Sequence, residues 1–173
     1  MPPDEAAATT GRYTIRAIDP SEYERLGEIT LAAYAGNRDD LGDDYAAELR
    51  DVAGRAADCP ILVAVGPGGA LLGGVTYGPG PGNRMSELER DGEAGIRMLA
   101  VDPRAQGLGV GRALTVACLE RARAAGRSGV ALYSRPANAP AQRLYESLGF
   151  DRDPSRDWEY EPGRWLWAFR LAF

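Results

Sequence analysis

The seven residues Gln106-Gly107-Leu108-Gly109-Val110-Gly111-Arg112 constrain this chain more than any other stretch. They follow an apolar run, Ile96 to Val101, which Asp102 and Pro103 bring to an end, because proline fixes φ and has no amide proton for a sheet ladder. After them the apolar residues Val110, Leu114, Ala117 or Cys118 and Ala125 recur at helical spacing. The order is therefore strand, glycine-rich turn, helix. Glycines at alternate positions let backbone amides crowd around a ligand with no Cβ in the way. Those amides also lead a helix, so they lack intrahelical partners and sit at the positive end of its dipole. A diphosphate suits such a place.

The spacing narrows the choice. A P-loop needs Gly-Lys-Ser/Thr after its glycines, and Arg112-Ala113 stands there instead. A dinucleotide fingerprint needs a further glycine three places after the second, and counted from Gly107 and Gly109 that place is Arg112. The pattern that fits is Gln106-x-x-Gly109-x-Gly111, directly behind Met98-Leu-Ala-Val-Asp-Pro103. It resembles the Arg/Gln-x-x-Gly-x-Gly/Ala signature of the GCN5-related N-acetyltransferases. A second segment, Asn138-Ala-Pro-Ala-Gln-Arg-Leu144-Tyr145-Glu-Ser-Leu-Gly149-Phe150, is similar to that family's Asn-x-x-Ala-x-x-Leu-Tyr-x-x-x-Gly-Phe. The resemblance implies an α/β (α+β) fold: a mixed twisted sheet of about seven strands flanked by about four helices, its central strands splayed.

Composition excludes other chemistries. The 173 residues suit one domain, read as 11–173 behind a disordered tail at 1–10. There is no histidine, and all 20 basic residues are arginine, so Ser-His-Asp and Cys-His machinery is absent. Two cysteines, Cys59 and Cys118, cannot build a zinc site alone. Cys118 reads as a small core residue rather than a nucleophile, and the pair suits a reducing cytoplasm. A formal net charge of -5 argues against nucleic acid as a partner. No stretch reads as a signal peptide or a membrane span.

Along the chain, Tyr13 to Ile18 alternates as a strand. Asp19-Pro20-Ser21-Glu22 predicts a capped helix running to about Ala35. The loop from Gly36 to Asp44 carries Asp39, Asp40, Asp43 and Asp44. Those aspartates either attract a cationic amine or solvate the loop, with Asp43 or Asp44 capping a second helix to about Ala57. Pro60 to Val65 and Ala70 to Tyr77 read as a hairpin. A long Gly/Pro-rich connection follows to Gly92, in which Ser86 and Glu89 are spaced like the cap of one helical turn. Gly129 to Ser134 is a strand and Ala139 to Leu148 a helix. Glu161-Pro162-Gly163-Arg164 is a type II turn. Beyond it Trp165, Trp167, Phe169, Leu171 and Phe173 alternate as a half-buried strand.

The resemblance also implies roles. Acetyl-CoA is the co-substrate, with no metal, and a primary amine attacks its thioester directly. The amine belongs to a small molecule, or to a peptide or protein in a rival reading. Gln106, Gly107, Leu108, Gly109, Val110, Gly111 and Arg112 hold the diphosphate, although Arg112 also fits a solvated first-turn arginine. Leu99, Ala100 and Val101 offer backbone to the pantetheine arm. Asn138 meets that arm or caps its helix. Tyr145 donates a proton to the leaving thiolate, or is a core tyrosine. Many family members place a glutamate just before the central apolar run. Gly95 stands at that place here, which leaves Glu93 as the expected base, with Glu87, Glu89 and the aspartates near 39 to 44 as rivals. Tyr34, Tyr77 and Trp158 hint at a cationic, partly apolar acceptor. Transfer of a longer acyl group and a non-catalytic acyl-CoA-binding regulator stand as alternatives, as do monomer and homodimer.

Overall fold

The computed structural model describes residues 8–9, 12–36 and 41–173. The chain forms two compact units, Met1–Thr76 with Met98–Ala117, and Tyr77–Arg97 with Cys118–Phe173.

In the first unit, β1 (Ala8–Thr9), β2 (Thr14–Ala17) and β3 (Ile61–Val65) pair antiparallel in order, and β3 pairs with β4 (Leu71–Gly78). β1 lies within the stretch read as a tail: the outer edge of β2 offers unpaired ladder groups, and Ala8 and Thr9 take them up opposite Ile15 and Thr14. The rest of that tail lies outside the described residues. The end of β5 (Glu93–Val101) lies beside β4, for Asp102 N–H donates to Leu72 O at 2.8 Å.

The expected capping box is present. Asp19 accepts from Ser21 N–H, and Glu22 reaches back to the Asp19 amide at 2.9 Å. The box opens a short 3₁₀ turn that runs into α1 (Tyr23–Ala35). Leu26 and Ile29 of α1 meet Val52, Ile61, Val63, Leu71 and Ala100 in the core of this unit.

The second predicted helix is two: α2 (Asp43–Arg50) and α3 (Val52–Asp58). Asp51, at φ −76° and ψ 64°, breaks the run because its side chain accepts from Gly54 N–H and caps α3. The carbonyls this frees are met by Arg55, which is buried and donates to Glu48 O at 2.9 Å and Leu49 O at 3.2 Å. Gly42, not an aspartate, precedes α2. Asp43 and Asp44 fill its first turn, where negative charge complements the dipole. Asp39 and Asp40 lie outside the described residues.

In the second unit, β5 pairs parallel with β6 (Gly129–Ser134), from Glu93↔Gly129 to Ile96↔Leu132. A parallel pair needs a crossover, and α4 (Val110–Ala124) lies between the two strands in sequence. β6 pairs antiparallel with β9 (Arg164–Ala172), and β9 also pairs with β7 (Asp151–Arg152) and β8 (Trp158–Glu161). The hairpin turn places Gly163 at φ 76°, as a type II turn requires. Along β9, Phe169 and Leu171 are buried as the alternation implies, but Trp165 and, just past the strand's end, Phe173 are exposed in the same phase, and Ala168 in the opposite phase is buried, so the alternation holds only in the middle of the strand. α5 (Ala139–Ser147) is followed by Gly149 at φ 93°. Residues 86–89 form no helical turn. Instead Glu89 Oε2 collects Ser86 Oγ and the amides of Glu87 and Leu88 at 2.8, 2.8 and 3.1 Å.

Among the described residues there are nine strands and five α-helices. The excess over expectation is the two-residue strands β1 and β7 and the break at Asp51.

Candidate functional site

The glycine-rich turn is built in the first unit. Asp102 ends β5 and accepts from the Arg104 amide at 2.9 Å, its side chain at 3.0 Å and the Arg25 guanidinium at 2.9 Å. The Arg104 hydrogen bonds, aided by Arg25, hold the Asp102 carboxyl below its usual range against the opposing effect of burial. The chain then makes a 3₁₀ turn, Pro103–Ala105, whose Ala105 is buried. Gln106, Gly107, Leu108 and Gly109 are all exposed.

Gly107 and Gly109 lie at φ 80° and 78°, a region that costs an L-residue roughly 1–2 kcal/mol. A Cβ on Gly107 would meet nothing within 4 Å, so conformation rather than crowding calls for glycine there. Tyr13 donates to Leu108 O at 3.3 Å and steadies the turn. The first intrahelical bond of α4 runs from Ala113 N to Gly109 O at 3.0 Å. The amides of Val110 and Gly111 therefore precede the helical ladder, as orphan donors do. Arg112 is exposed. The sequence reading found this loop but missed its supports, Tyr13, Arg25 and Asp102. Only the acidic residue before Pro103 signalled any of them.

Just ahead of the loop, Leu99, Ala100 and Val101 close β5. Met98, before them, has φ 49°, the only positive φ at a non-glycine among the described residues. The ladder to β6 has already stopped at Ile96↔Leu132, while β5 runs on to Val101. A left-handed residue two places past the last rung re-aims a strand as a bulge does.

The second unit holds Asn138, Tyr145 and Glu93. Asn138 caps α5, its Oδ1 accepting from Ala141 N–H at 3.3 Å. Tyr145 is only 6% exposed, its ring 5.8 Å from Phe150 and 6.2 Å from Phe169. Burial, with the nearby Cys118, pushes its phenol well above the ordinary value, so it keeps its proton. Cys118 itself is buried and free, and burial pushes its thiol up to about 12, so it is no nucleophile.

Glu93 is bound on both oxygens. Arg156 reaches them at 2.6 and 3.1 Å, Arg170 at 2.5 Å, and the Arg90 amide at 2.9 Å. Burial alone would raise its pKa. The Arg156, Arg90 and Arg170 bonds outweigh that and hold it at about 2, below the ordinary 4.5. A carboxylate so paired is an ion-pair anchor and a poor proton acceptor. Tyr77 is also internal, 3% exposed with the Arg121 guanidinium 5.5 Å from its ring centre, whereas Trp158 is 48% exposed. Among the described residues no cluster of three metal-ligating side chains occurs, and no helix is long and apolar enough to cross a membrane.

Comparison with known proteins agrees with this geometry. The model of the acetyltransferase (GNAT) family matches residues 23–150. A mycothiol acetyltransferase of an Arthrobacter species is 37% identical over 156 residues, 84% of this chain and 45% of its own. The chain spans less than half the length of such relatives: the mycothiol acetyltransferases of Acidothermus cellulolyticus and Thermomonospora curvata are matched over 17% and 24% of theirs. Among solved structures, a GNAT-family protein of Desulfovibrio desulfuricans superposes with TM-score 0.72 at 20% identity, covering 92% of this chain and 98% of that one. A GNAT acetyltransferase of Brucella melitensis in complex with acetyl-CoA gives TM-score 0.62 at 24% identity, covering 93% and 88%.

Proposed function

Because the chain belongs to the acetyltransferase (GNAT) family, we propose that it transfers an acetyl group from acetyl-CoA to the primary amine of a small molecule. The observation that carries this reading is the exposed Gly107–Gly109 turn, both glycines left-handed, leading into the unladdered amides of Val110 and Gly111. Those amides and the helix dipole favour a diphosphate. Gln106 to Arg112 hold that group, and the backbone of Leu99, Ala100 and Val101 takes the pantetheine amides like an added strand. Asn138, whose Oδ1 is committed to its helix cap, contributes its amide nitrogen.

The amine lone pair forms the new N–C bond, and collapse of the tetrahedral intermediate breaks the C–S bond. Tyr145 supplies the proton that the departing thiolate needs. A phenol held protonated suits that task. The acceptor class draws support from the relatives named mycothiol acetyltransferases. Two buried cysteines outside any disulfide suit a reducing cytoplasm as the setting.

The test is thiol release from acetyl-CoA across a panel of small-molecule, peptide and protein amines. Turnover with a small amine is the expected result. Acetyl-CoA binding without release from any amine would instead favour a binding module, and turnover only with longer acyl donors would reassign the co-substrate.

A further inference from the structure

A primary ammonium must lose a proton before it attacks, and Glu93 is poorly placed to take one. We propose that Glu89 is the proton acceptor. This rests on the acetyl-transfer reading. The two oxygens of Glu89 have opposite surroundings. Oε2 is held by Ser86 Oγ and the amides of Glu87 and Leu88. Oε1 is buried and has no hydrogen-bond partner among the described residues. Leaving a carboxylate oxygen dry and unpaired is costly, so this atom stands ready for a partner that carries a proton.

Its position is specific. A Cβ built on Gly95 would fall 1.7 Å from Oε1, and one on Gly78 would fall 3.1 Å away. The carboxylate thus occupies the space that a side chain at position 95 of β5 would fill, and the absence of a side chain there admits it. The loop supplies to the strand a carboxylate that the strand lacks. The three donors on Oε2 fix the group's orientation, as an acceptor that must meet a positioned proton requires.

The surrounding charged and titratable groups are Glu87, paired with Arg97, Tyr133 on β6, and Arg156 and Asp157 ahead of β8. Burial first, then Glu87, Asp157 and Glu89, push the Tyr133 phenol up. Glu87 is paired with Arg97 and Asp157 with Arg152, so the ammonium is drawn by the Glu89 carboxylate itself.

One ammonium proton passes to Glu89 Oε1 and on to solvent. The freed lone pair forms the N–C bond, and the C–S bond breaks. The second nitrogen proton replaces the one that Tyr145 gives the thiolate. The amide keeps the third.

The test is the pH profile of kcat for a simple primary amine. Glu89→Gln should lower kcat about 100-fold or more near pH 7, with acetyl-CoA affinity unchanged. The deficit should shrink as pH approaches about 10, where the amine deprotonates unaided. Gly95→Ala, whose Cβ would fall 1.7 Å from Oε1 and 2.6 Å from Cδ and so expels the whole carboxylate, should show the same pH-dependent deficit. It also serves if Glu89→Gln does not fold. Moving the carboxylate, Glu89→Ala with Gly95→Glu, should recover activity relative to Glu89→Ala alone. A Glu89→Gln or Gly95→Ala enzyme within about threefold of wild type, or one impaired equally at all pH values, overturns the proposal. Wild-type protein that binds no acetyl-CoA refutes the parent reading as well, whereas normal wild-type turnover alongside an unaffected variant refutes only this one.

Discussion

Glu93→Gln isolates the buried ion cluster of the second unit. The substitution keeps shape and removes charge, leaving Arg156, whose side chain is 7% exposed, facing a neutral amide. The magnitude follows from linkage. A carboxyl held at about 2 rather than 4.5 favours the folded state by about 3 kcal/mol when ionised. Breaking one side of a buried pair costs about 3–5 kcal/mol, which is the same order. For a chain of this size that is a fall in Tm of roughly 6–12 °C. The sign with pH is fixed. The folded pKa is depressed, so the contribution is complete above the unfolded value and fades as pH falls toward about 2. The gap between wild type and Glu93→Gln in thermal or urea unfolding should therefore be full at pH 7 and shrink progressively below pH 4.5. A variant within 1 kcal/mol of wild type at pH 7, or a gap that grows on acidification, would refute the reasoning.

Further expectations concern other elements. Tyr145→Phe should lower kcat roughly 10- to 1000-fold with little change in acetyl-CoA affinity; an unchanged kcat would remove Tyr145 as the acid. Asp51→Ala, which deletes the α3 cap, should cost about 1 kcal/mol in denaturant unfolding, and no loss would mean that α3 is held from elsewhere. Cys118, with its thiol pushed up to about 12, should resist alkylation at pH 8 in native protein and react only on unfolding. Rapid native labelling would contradict its burial.

What the sequence disclosed was local. The Asp19–Glu22 box, the glycine turn and the Asn138 cap each spell their geometry within a few residues, because a short polar side chain or an absent Cβ acts on its nearest neighbours. The anchoring of Glu93 was illegible, since its partners Arg156 and Arg170 lie 63 and 77 positions away. Glu89 against Gly95 was hidden for another reason. Its six-residue separation suits no helix or strand contact, and only the folded connection between β4 and β5 brings the two together. The break at Asp51 had a signal, a capping aspartate with Gly54 three places on. It was outweighed by the good helix formers on either side.

The central claim is that amides of the Gly107–Arg112 turn grip the diphosphate of the co-substrate. Calorimetry on wild type and Gly109→Ala, each titrated with acetyl-CoA and with acetyl-pantetheine, which lacks the diphosphate, tests it directly. The account predicts that wild type binds acetyl-CoA far more tightly than acetyl-pantetheine, and that Gly109→Ala, forced at φ 78°, weakens only the acetyl-CoA titration. Equal affinity of wild type for the two ligands would contradict it.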